Sequence, residues 1–170
     1  MARRARRVRL PPMRVLCCVV LAAAACAGLR AADSAEDEAV LAAVQKVFDG
    51  MAAHDAAAIR AAMTDDARLT PIRSDRPVTS ISVDQFLKGI EGNQAKLLER
   101  IWDPKVMVRG RLASVWAEYD FHSDGKFGHC GVDSFLLAKT PAGWKITSIA
   151  WTAETEGCKP SPLGPPPQKR

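Results

Sequence analysis

Between residues 34 and 53 the apolar side chains recur at helical spacing. Val40, Val44, Val47, Phe48 and Met51 fall at i, i+4, i+7, i+8 and i+11, one stripe of a helix. Asp33 or Ser34 can cap that helix, with Glu36 or Asp37 three residues on. His54-Asp55 interrupts the stripe, and Asp55 is a natural cap for a second helix over 56–63 that Thr64-Asp65-Asp66 ends. Short extended pieces at 68–72 and 78–81 flank a polar turn around Ser74-Asp75. Ser82-Val83-Asp84-Gln85 then reads as a capping box, opening a third helix that runs to about Ile90 with Val83, Phe86, Leu87 and Ile90 inward.

From Lys96 the period falls to two, and strands are expected over 97–102, 105–109, 112–122, 126–139 and 144–152. Asp124-Gly125 is a two-residue hairpin signal, because both positions favour positive φ. Helices first and an antiparallel meander second predict an α+β domain: three N-terminal helices packed on a curved, mostly antiparallel sheet. Five prolines among the last twelve residues predict a disordered tail over 159–170.

Charge changes the picture only at the N-terminus. The chain of 170 residues has a net charge of +5, yet residues 1–30 hold seven arginines and no acid. Removing those seven leaves 17 basic residues against 19 acidic ones, a net of −2, so no nucleic-acid partner is expected. A basic stretch to Arg14 followed by an apolar run over 15–29 has the form of a secretory signal, with Met1 or Met13 as its start. The expected division is a leader over 1–32, a folded domain over 33–158 and the tail. A periplasmic or secreted location follows. The alternative is a lipoprotein anchored through Cys26, since Ala23-Ala24-Ala25-Cys26 resembles a lipobox without its usual leucine. No membrane span is expected once the leader is gone. Export would leave Cys130 and Cys158 as an even pair, which suggests a disulfide in an oxidising compartment.

Several local motifs resemble the nuclear transport factor 2-like superfamily, which includes ketosteroid isomerase, scytalone dehydratase and SnoaL-like cyclases. They are Val44-Gln45-Lys46, His54-Asp55, Met63-Thr64-Asp65-Asp66-Ala67 and Gly143-Trp144-Lys145-Ile146. The segment from Trp116 to Phe135, with His129-Cys130-Gly131-Val132-Asp133, resembles a secreted bacterial branch labelled lumazine-binding. The resemblance spans residues 36–155 and implies a cone-shaped α+β barrel with a ligand cavity between sheet and helices. It also implies a homodimer through the outer sheet face. It argues against steroid isomerisation, because the isomerase's tyrosine and base positions fall on Val47 and Pro71. Only Val132-Asp133-Ser134-Phe135 matches that family's acid-bearing strand.

Candidate chemistry rests on strand parity. If Asp133 faces the cavity, His129, Gly131 and Phe135 share its face. With Ser123 opposite Lys126, unbroken pairing sets Asp120 against His129, Glu118 against Gly131 and Trp116 against Asp133. The candidate ligand-binding set is therefore Trp116, Glu118, His129, Asp133 and Phe135, and the catalytic candidates are His129, Asp120 and Asp133. An apolar setting would raise the pKa of Asp133. The competing reading turns Val115, Ala117, Tyr119, Phe121, Cys130, Val132 and Leu136 inward and leaves Glu118, Asp120 and His129 as an outer charge ladder. One β-bulge would reverse the parity. Tyr119, the sole tyrosine, needs a hydroxyl partner if buried. His54 reads as a turn residue, and no metal set or cofactor motif is present, so no cofactor is expected. Three functions stay open: a binder of a small organic ligand, a cofactor-free isomerase, dehydratase or cyclase, and a dimerising interaction module.

Overall fold

A computed structural model describes residues 35–167. The leader, including Cys26 and its cleavage signals, lies outside the described residues. Helix α1 occupies 35–53, and its Val40, Val44, Val47, Phe48 and Met51 are all buried, as their spacing requires. His54 adopts a positive φ of 54° at the break. Its ring nitrogens lie 3.2 Å from the Ile90 carbonyl and 3.0 Å from that of Ala95, so it ties the inter-helix turn to the next helical unit. Asp55 accepts from the Ala58 amide and caps α2, Ala56–Ala61.

The second helix is shorter than its spacing predicts. Met63, Thr64 and the Asp65-Asp66 pair open strand β1, Met63–Ile72, and do not close the helix. Parallel pairing with the last strand overrides local propensity there. After a short β2, Ile81–Ser82, the expected capping box forms: Ser82 accepts from the Gln85 amide at 3.2 Å and the Gln85 side chain accepts from Ser82 N–H at 2.8 Å. It opens α3, Val83–Glu91.

Four long strands follow: β3 Leu97–Arg109, β4 Leu112–Ser123, β5 Lys126–Thr140 and β6 Gly143–Thr152. The two strands expected on either side of Asp103-Pro104 are one strand with a register shift between Trp102 and Lys105. Asp103 takes φ 48° there, so the kink bends the strand without ending it. The sheet order is β2-β1-β6-β5-β4-β3, antiparallel throughout except for β1 with β6. The sheet is six-stranded and not closed into a barrel, and the helices cover one face. The core between them is built from the α1 stripe, Ile59, Leu87 and Ile90 against Leu69, Val115, Phe135, Leu137, Ile146 and Ile149. Fully burying such side chains contributes roughly 1.5–3 kcal/mol each.

The hairpin at Asp124-Gly125 has φ values of 52° and 74°, and Ser123 pairs with Lys126 as expected. The expected register ends one pair later. His122 lies opposite Phe127, but Phe121 lies opposite His129, because Gly128 is an extra residue in β5. Beyond it Asp120 faces Cys130, Tyr119 faces Gly131, and Ala117 faces Asp133.

Candidate functional site

A cavity of about 180 Å³ opens between the inner sheet face and α1 and α3. Its wall is mostly apolar, from Val47, Phe48, Met51, Phe86, Ile90, Phe121, Phe135, Ile149 and Trp151. Phe48 and Phe135 meet edge to face at 6.0 Å. Set into this wall are Glu99 on β3 and His129 and Asp133 on β5.

The two carboxyls form a pair. Asp133 is 2% exposed, and its Oδ2 is buried with no N–H or O–H partner among the described residues. The long arm of Glu99 brings a second carboxyl into hydrogen-bonding range of it. Burial pushes Asp133 up to about 7, with the Glu99 bond working the other way. Burial raises Glu99 well above the carboxylate range, and the Asp133 charge and hydrogen bond raise it further. Two carboxylates cannot both ionise against one apolar wall, so the pair retains a proton near neutrality.

His129 is held from two sides. Its ring stacks on Phe121 at 4.8 Å and 12°, its direct cross-strand neighbour. Its Nδ1 lies 2.8 Å from the hydroxyl of Tyr119, a side chain with no solvent exposure. Burial, and then the charge of Arg73, lower the imidazole pKa, so the ring is neutral at pH 7. Burial, helped by Asp133, Glu99 and Glu154, puts Tyr119 far above the ordinary phenol range. One cavity thus contains a protonated acid and a neutral imidazole, and the tyrosine behind that imidazole keeps its proton.

The bulge at Gly128 explains which expected residues meet. His129, Asp133 and Phe135 line the cavity together. Trp116, Glu118 and Asp120 do not, because β4 turns them outward. Trp116 is 56% exposed, and Glu118 accepts from Lys159 at 3.2 Å. The expected Asp120–His129 pair is absent. Asp120 instead takes a two-pronged bond from Arg100, at 2.8 and 2.5 Å, on the outer face. His122 Nε2 stands 3.4 Å from the same carboxylate without forming a hydrogen bond to it. Burial would raise Asp120, but the Arg100 bonds and then His122 outweigh it and hold the carboxyl low. Each competing parity was half right. The apolar series Val115, Ala117, Tyr119 and Phe121 is inward on β4, whereas Cys130, Val132 and Leu136 are outward on β5.

Cys130 and Cys158 are joined, with Cα atoms 6.0 Å apart. From there the chain passes Glu118, and Arg100 Nη1 donates to the Gly164 carbonyl at 3.0 Å. Glu99 is the residue that sequence reasoning missed. Its signal was present: Leu97, Glu99 and Ile101 share one strand face, so a carboxylate stands on apolar parity.

Comparisons with known proteins agree on the fold. No curated protein matches the chain. Among solved structures, it is similar to an NTF2-like protein of unknown function from Shewanella baltica, at 20% identity and TM-score 0.55, covering 69% of this chain and 93% of that one. It is also similar to a protein from Streptomyces avermitilis described as a putative dehydratase of the NTF2-like family. There identity is 22%, TM-score 0.57, and coverage 68% and 94%. An NTF2-like protein with a cystatin-like fold from Novosphingobium aromaticivorans gives 15% identity and TM-score 0.61, with coverage of 77% and 89%. The family model described as "Putative lumazine-binding" matches residues 35–152, which include every strand and all three helices. The chain therefore belongs to that family, and its fold is the one seen in these NTF2-like structures.

Proposed function

We propose that this is an exported protein that binds a compact, uncharged organic molecule in the inner-face cavity. The observation that carries the reading is the Glu99–Asp133 pair, a protonated acid anchored in a mostly apolar wall. Ligand sites combine apolar lining with a few placed polar groups in this way. An engineered apolar cavity of ~150 Å³ accepts benzene, so about 180 Å³ suits a single ring. The family description, which names a small heterocycle, supports a small-ligand partner.

Calorimetry with acetophenone tests this. Acetophenone is a single ring whose carbonyl can accept from the acid pair. Binding is expected below pH 7 and should weaken as the pair loses its proton. Val47→Trp, which fills the cavity, should abolish it. Binding unaffected by that substitution, or no binding at millimolar probe, would contradict the reading.

A second reading, a cofactor-free isomerase, dehydratase or cyclase, is favoured by one observation. A proton donor and a neutral imidazole line the same cavity, and acid–base catalysis needs both. It keeps His129 and Asp133 of the expected set and has Glu99 in place of Asp120. For an enzyme, His129→Ala should cost on the order of 10²-fold or more in rate with affinity largely kept. For a binder it should alter affinity only.

A further inference from the structure

Tyr119 has one hydroxyl proton and two neighbours. The Thr152 carbonyl oxygen lies 2.6 Å away and has no proton to give, so Tyr119 donates there. The 2.8 Å contact with His129 Nδ1 then has only one possible donor, the imidazole N–H. His129 is thereby fixed as the Nδ1–H tautomer, and its Nε2 carries a bare lone pair. Among the described residues nothing hydrogen-bonds Nε2, which is not fully buried and belongs to a side chain that lines the cavity.

Backbone geometry supports this arrangement. Gly131 lies opposite Tyr119 with φ 154°, where side chains are rarely tolerated. A Cβ at Gly131 would fall 2.5 Å from the Thr152 carbonyl oxygen, and closer still to that residue's hydroxyl. Only glycine leaves room for Thr152 to come under the tyrosine. The Val132 amide then donates to Thr152 Oγ1 at 3.0 Å and fixes it in place. Gly131, Thr152 and Tyr119 therefore act on His129 in series, and none of the three is itself among the cavity-lining residues.

We propose that Tyr119 is a positioning residue whose bond to the Thr152 carbonyl locks His129 as a hydrogen-bond acceptor. The cavity then selects ligands with an O–H or N–H donor at one end and a carbonyl-type acceptor at the other. This rests on the binding reading above and specifies the ligand class for the same site. His129 and Asp133 are four residues apart on one strand, roughly 13 Å between Cα atoms at ~3.3 Å per residue. The acceptor and the acid therefore address opposite ends of a ring, not adjacent atoms. A para-substituted ring such as 4-hydroxyacetophenone has this form, and acetophenone lacks only the donor.

The test combines imidazole nitrogen NMR of the ¹⁵N-labelled full-length protein with titrations of these two probes at pH 6. Wild type should show the proton on His129 Nδ1 and should bind 4-hydroxyacetophenone roughly 10-fold or more tighter than acetophenone, the worth of a matched buried hydrogen bond. Tyr119→Phe should give a mixture of tautomers and reduce that preference to within about 2-fold, with acetophenone affinity unchanged. Gly131→Ala, acting through Thr152, should shift the tautomers in the same direction. A wild-type His129 protonated on Nε2 overturns the proposal, without recourse to any variant. Equal binding of the two probes overturns the selectivity while leaving the cavity reading intact. Failure of both probes to bind overturns both.

Discussion

A carboxyl that is more easily protonated folded than unfolded makes stability fall with rising pH. Asp133, raised to about 7 by burial, is such a group, and Glu99 is raised in the same direction. Between about pH 4 and 7 the folded protein binds the extra proton and the unfolded chain does not, so this contribution is lost across that window. Asp120 has the opposite sign: its stabilisation is present above the unfolded carboxylate pKa and disappears as pH falls. Asp133→Asn isolates the first effect. Its stability relative to wild type should rise from pH 4 to pH 7 in denaturant melts, and a constant difference would contradict the buried pair. On the outer face, Asp120→Ala strands the Arg100 guanidinium, whose side chain is 12% exposed. Breaking so enclosed a pair should cost about 3 kcal/mol at pH 7, and a cost below ~1 kcal/mol would show that the pair is solvent-screened. His129, Asp133 and Phe135 were legible from the parity of one strand. Glu99 stood out by its parity in β3, but its pairing with Asp133 was not legible, because that partner lies 34 positions away.

At the scale of elements, local signals were reliable where the chain bonds to itself nearby. The Ser82–Gln85 box and the Asp124-Gly125 turn formed as their residue types require. Ser82→Ala should cost about 1 kcal/mol in chemical denaturation, and no cost would mean that water replaces the cap. What failed was register across the hairpin. Alternation is visible in either strand alone, but the single extra residue at Gly128 changes which faces coincide. Likewise, the length of α2 was decided by a partner strand over 80 residues distant. The Cys130–Cys158 bond closes a loop over 28 residues of separation. Replacing both cysteines with serine should lower stability by roughly 3 kcal/mol in the chain-entropy account, and an unchanged midpoint would refute it.

The whole molecule divides its polar chemistry between two sheet faces. The inner face presents a neutral, protonated set in an apolar cavity. The outer face holds the ionised Arg100–Asp120 pair beside the chain that follows Cys158. Export remains a proposal carried by the leader: N-terminal sequencing of secreted material should place the mature start between Cys26 and Asp33, and a chain still beginning at Met1 or Met13 would contradict it. The fold was readable from the order of helices and strands because that order fixes the layers. The ligand was not, because it depends on side chains brought together from β3 and β5. The central claim is that a single-ring molecule occupies the inner cavity, and methyl-labelled NMR spectra during an acetophenone titration test it most directly. The account predicts shifts at Met51, Ile90, Leu97 and Ile149, which line the cavity, with Met107, Leu112 and Leu136 silent on exposed surface. Shifts confined to those exposed methyls, or none at all, would contradict it.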